Sequence, residues 1–170
     1  GYNPTGGATY TVTEEFGDED TVLLLHMDGA DEGTNFTDAS GSSHSVTANG
    51  DAKTEDTEKK FGTTSAYFDG SGDYLSIPES SDFVFGTDDF TIDYWIYQPS
   101  WVTSGVRYPT HIDLGNIWNG INIRQTPSGS PNFQIQLKSS SAVFGWGPSA
   151  NTWYHMAITR ESGVVRAFSN

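Results

Sequence analysis

Apolar residues recur along this chain with a period of two. In Phe90–Tyr97, Phe90, Ile92, Tyr94 and Ile96 fall on one side and Thr91, Asp93, Trp95 and Tyr97 on the other, because successive side chains of a strand point to opposite faces. Aromatic groups occupy both sides, which predicts a strand buried on two faces. Similar runs predict strands at Val22–Met27, Ser45–Asn49, Ser65–Asp69, Tyr74–Pro78, Tyr108–Leu114 and Gly120–Arg124, then at Asn132–Leu137, Ala142–Trp146, Trp153–Thr159 and Val164–Phe168. Between them lie turn formers such as Asp69-Gly70-Ser71-Gly72, Pro127-Ser128-Gly129-Ser130-Pro131, Gly147-Pro148 and Glu161-Ser162-Gly163. No stretch sustains apolar spacing at i, i+3, i+4 and i+7, so helix is expected to be scarce. Many short strands closely spaced by turns predict an all-β, antiparallel sandwich or barrel. Residues 1–20 are polar, acidic and glycine-containing, and read as an arm or linker ahead of a domain at 21–170.

Composition sharpens this picture. A chain of 170 residues suits one domain and is long enough for a single core. Only 35% of residues are hydrophobic, yet 14% are aromatic and 19 are glycine, a mix unlike that of disordered chains. Lys and Arg number 8 against 22 Asp and Glu, a net charge of −14. That excess excludes a phosphate-neutralising nucleic-acid groove and docking on an anionic membrane. The acid is uneven: residues 1–60 carry −10, residues 61–120 carry −7, and residues 121–170 carry +3. With no cysteine, disulfide scaffolds, thiolate zinc sites and thiol nucleophiles are all ruled out. The longest apolar run, Val22-Leu23-Leu24-Leu25, is far too short to insert into a bilayer.

Four stretches carry a family likeness. They are Val22–Gly29 with Phe36–Gly41, Phe61–Gly62 with Ser65–Pro78, Phe90–Ile96, and Trp153–Arg160. In order and spacing they resemble the laminin G-like, concanavalin A-like lectin/glucanase jelly rolls, over residues 21–170. The likeness implies a two-sheet antiparallel sandwich. It extends to pentraxins, whose paired cysteines would fall at Asp93 and Ala157, implying that these two positions are cross-strand neighbours. Antiparallel register then sets Trp95 beside His155, making His155 a structural histidine packed on an indole. Family members continue past the position of Asn170 with an Asn-Gly turn and closing strands, so the resemblance implies a longer product from which the C-terminal closing strands of 21–170 are missing.

Candidate chemistry is sparse. Glycosidases of this fold need two carboxylates across the scissile bond, and their Glu-x-Asp-x-Glu strand pattern is absent; Asp93 has no acidic neighbour at 91 or 95. There is no Gly-x-Ser-x-Gly elbow, Walker loop or His-x-x-x-His pair. The chain is therefore expected not to be an enzyme. Calcium is the one cofactor candidate, with Asp28, Asp31 and Asp38 in one glycine-containing connection as ligands; a solvated acidic loop is the alternative. Sugar binding needs apolar rings beside hydrogen-bonding groups. Trp101, Tyr108, Trp118 and Trp146, with Asn119 and neighbouring amides Asn116, Asn122 and Gln125, are the candidates, the alternative being indoles that cap the core.

The expected function is adhesion or decoration on a virion or an extracellular surface. The partner is cell-surface glycan or another virion or surface protein, within a larger assembly or homo-oligomer, with no nucleic acid and no membrane insertion. Such modules occur on bacteriophage appendages and capsids and on bacterial surface proteins. The alternatives are a lectin module or part of a secreted carbohydrate-active enzyme, and a self-assembling surface protein without a glycan ligand.

Overall fold

The computed structural model describes residues 20–101, 109–115, 120–126, 132–137 and 140–170. Its strands are β1 (Thr47–Asn49), β2 (Lys53–Glu55), β3 (Ser65–Tyr67), β4 (Tyr74–Ser76), β5 (Phe90–Tyr97) and β6 (Thr110–Leu114). They continue with β7 (Ile121–Thr126), β8 (Asn132–Leu137), β9 (Ser140–Gly145), β10 (Trp153–Glu161) and β11 (Val164–Ser169). The only helical element among the described residues is a single 3-10 turn at Ser81–Phe83.

Two larger sheets form the body. One is the antiparallel meander β6-β7-β8-β9, and the other has the order β11-β10-β5. Alternation along each strand decides what lies between them. From one sheet come Ile121 and Ile123 of β7 and Phe133 and Ile135 of β8; from the other come Phe90 of β5 and Met156 and Ile158 of β10. Ile123 and Ile158 are fully buried, and each such side chain contributes roughly 1.5–3 kcal/mol by leaving water. The result is the jelly-roll sandwich expected of an all-β chain. Two small sheets, β1-β4 and β2-β3, extend it.

A polar link also crosses the core. The β6–β7 register shifts between Thr110 and Ile112, a bulge that re-aims one side chain. His111, at the bulge, meets the Tyr94 hydroxyl of β5 through Nδ1 at 2.8 Å. Burial pushes the His111 imidazole down to about 4 and pushes the Tyr94 phenol up.

Two elements differ from the sequence expectation. Val22–Met27 forms no strand, only a single bridge from Leu25 to Asp38, because the Asp38 carboxylate takes the Leu24 N–H at 2.9 Å. A side chain thus supplies the partner that a ladder would have given. Conversely, Lys53-Thr54-Glu55 is a strand despite its polarity. Thr54 is fully buried there: its N–H bonds the Gly33 carbonyl at 2.7 Å, and its hydroxyl donates to the Ala30 carbonyl at 2.6 Å.

Candidate functional site

The outer face of the β5-β10-β11 sheet carries a set of aromatic side chains outside the core. β10 pairs with β5 in antiparallel register, His155 opposite Trp95 and Ala157 opposite Asp93, as the family resemblance implied. Ile92, Ile96 and Ile158 pack toward the core, which turns Asp93, Trp95, Tyr97, Trp153 and His155 outward. The expectation that β5 is buried on both faces is corrected: its core side is covered, whereas Thr91 and Asp93 are exposed.

Two rungs of the ladder are aromatic. Trp95 and His155 stack at 5.0 Å with an interplanar angle of 22°, and Tyr97 meets Trp153 at 5.4 Å. The segment before β3 extends the first rung: Phe61 stands edge-on to Trp95 at 5.4 Å, and the Lys60 ammonium lies 4.4 Å from the Trp95 ring centre. Phe61 is 66% exposed. Gly62 holds this segment in place. Its φ is +61° and a Cβ there would strike the Asp28 carboxylate, a position open only to glycine.

Polar groups border the rings. His155 Nε2 lies 2.9 Å from Asp93 Oδ2, the Tyr97 hydroxyl donates to Asn151 Oδ1 at 3.2 Å, and the His155 N–H donates to Asn170 Oδ1 at 2.7 Å. Partial burial and the nearby Glu58 carboxylate raise the Tyr97 phenol. Ring faces and edges beside hydrogen-bonding groups give the chemistry that sugars require, with C–H surfaces packing on rings and hydroxyls bonding at the margin.

Of the sequence-predicted binding residues, Trp101 and Trp146 lie elsewhere. Trp101 and Trp146 form an edge-to-face pair at 4.7 Å, and Trp146 also packs on Tyr154 at 5.4 Å. Trp146, 8% exposed, belongs to the core cluster, while the Trp101 indole N–H donates to the Ser149 carbonyl at 3.1 Å. These two indoles cap the sandwich interior. Tyr108, Trp118 and Asn119, along with Asn116, lie outside the described residues. Asn122 and Gln125 are buried on β7.

The three acids considered for calcium do not converge. Asp28 accepts from the Thr63 N–H at 2.8 Å, which holds its carboxyl below the ordinary value. Asp31 accepts from the Asp56 N–H. Asp38 accepts from the N–H groups of Leu24, Ser40 and His44 and from the Ser40 hydroxyl, all at 2.8–2.9 Å. Burial pushes the Asp38 carboxyl up, but these four donors outweigh it and bring it down to about 2. Each carboxylate serves as a loop staple. Among the described residues no group of three or more His, Asp or Glu side chains stands close enough to hold a metal ion, so this set does not fit calcium.

Residues 69–170 match the family model described as the concanavalin A-like lectin/glucanases superfamily, laminin G type. The match covers more than half of the chain, which therefore belongs to that superfamily. It begins after the first sequence motif and within the second, and contains β4 to β11. No curated protein and no solved structure matches the chain. Membership is compatible with carbohydrate binding or adhesion.

Proposed function

We propose that this protein is a non-catalytic carbohydrate-binding adhesion module whose ligand lies along the outer face of β5 and β10. The observation that carries this reading is the two-rung aromatic strip, Trp95–His155 and Tyr97–Trp153. The rungs are two residues apart on each strand, a step of about 7 Å, so they form a strip suited to successive rings of an oligosaccharide. What supports a non-catalytic role is the setting of Asp93. Its cross-strand partner is Ala157, not a second acid, whereas glycoside hydrolysis works with two opposed carboxylates. The setting proposed with this role is a virion or bacterial surface, where the module works within a larger assembly.

Affinity electrophoresis through gels containing neutral polysaccharides tests the reading. Retardation by at least one polysaccharide is expected, and the Tyr97→Ala and Trp153→Ala variants should migrate as in a blank gel while keeping the wild-type far-UV spectrum. No retardation in any polysaccharide, with discrete homo-oligomers in light scattering, would replace glycan recognition by self-association.

A further inference from the structure

Next to the aromatic rungs, the same face contains a trough. The next cross-strand row reads Asp93 on β5, Ala157 on β10 and Phe168 on β11. Val165 and Ala167 pack toward the core, so Phe168 points outward, and it is 54% exposed. The floor is a single methyl group, while the walls stand two inter-strand steps apart, roughly 10 Å between backbones. One wall is the Phe168 ring. The other is the Asp93 carboxylate, whose side chain is 59% exposed. His155 takes Asp93 Oδ2, which orients the carboxylate and leaves Oδ1 without a partner among the described residues. The following row, Thr91–Thr159–Arg166, closes the trough with hydroxyl groups.

An apolar ring facing an acceptor across a gap of this width suits one pyranose, with C–H groups on Phe168 and hydroxyls donating to Asp93. Charge selects among pyranoses. Arg166 pairs with Glu161 at 3.3 Å, and the Lys60 ammonium rests on the Trp95 ring. The trough therefore presents the Asp93 carboxylate, paired with the His155 imidazole, on a chain of net charge −14. A uronate or sialate would place like charges together, at a cost in affinity.

Resting on the carbohydrate reading above, we infer that the trough over Ala157 is a subsite for one ring of a non-acidic saccharide, stacked on Phe168 and hydrogen-bonded to Asp93. Ala157 is then a specificity-determining residue, since its small side chain leaves the space that the sugar fills.

A glycan array printed with neutral, amino, uronate, sialylated and sulfated oligosaccharides tests this, probed with the wild type and with the Ala157→Leu, Asp93→Asn, Phe168→Ala and Trp153→Ala variants. Wild type should bind only non-acidic features. Ala157→Leu, which fills the trough at the surface, and Asp93→Asn should each weaken those features at least tenfold, and Phe168→Ala severalfold. Binding confined to acidic glycans would overturn the subsite, as would wild-type binding by both Ala157→Leu and Asp93→Asn while Trp153→Ala loses it; the strip would stand in either case. If the wild type bound no feature at all, the carbohydrate reading would fail and the subsite with it.

Discussion

Replacing His111 with glutamine should flatten the dependence of stability on pH between about 6.5 and 4. The imidazole is held between the sheets, bonded through Nδ1 to the Tyr94 hydroxyl, and burial lowers it from 6.5 to about 4. In the unfolded chain the same group takes up a proton near pH 6.5. Between those values the unfolded state binds more protons than the native state, so stability falls as pH falls, and the loss is complete once the native imidazole protonates as well. At 1.36 kcal/mol per pH unit the lowering corresponds to about 3 kcal/mol. Glutamine can still accept from Tyr94 but does not titrate. Urea denaturation at several pH values from 7 to 4 should therefore show the wild type losing about 3 kcal/mol more than the variant, with similar m-values. Equal losses in the two proteins would mean that His111 is not held neutral by the core, and the account of the cross-sheet link would be wrong.

Two further outcomes follow from the same structure. Asp38→Asn keeps one acceptor but sets an amide NH2 against donors, and should cost about 2 kcal/mol at pH 7. Since the Asp38 carboxyl is lowered from 3.8 to about 2, that stabilisation is present above pH 3.8 and lost as pH falls toward 2; a wild-type midpoint in urea at pH 7 would contradict the staple. Trp146→Ala removes an indole from the core and should cost about 3–5 kcal/mol, read as a lowered urea midpoint. Lost polysaccharide retardation with unchanged stability would instead make Trp146 a ligand contact.

Much of this architecture is legible in the chain. The alternation in Phe90–Tyr97 sorts β5 into its two faces, since period two is imposed by strand geometry alone. The motif likeness supplied the Asp93–Ala157 neighbourhood, and antiparallel pairing carried it two residues on to Trp95 and His155. The Lys53–Glu55 strand was invisible, because a polar Lys-Thr-Glu run with a buried Thr54 has no apolar signature, and its pairing with β3 and its bridge to Gly33 are contacts with distant segments. Val22–Leu25 misled in the opposite direction: four apolar residues resemble a strand, but Asp38 meets their backbone before another strand can.

The candidate site divides along the same line. Sequence by itself determined that aromatic and amide groups suited to sugars are present, that paired catalytic carboxylates are not evident, and that acid prevails in the first two-thirds. Which aromatics are available was decided by tertiary structure alone. Trp146 and Trp95 are the same residue type, the first just past the end of β9 and the second within β5, yet one enters the space between the sheets and the other stands on the outer face. That choice depends on strand register and on which sheet face meets a partner, both set by contacts between segments far apart in sequence. For the same reason three acids close together in the chain became three separate loop staples, each satisfied by its own backbone donors.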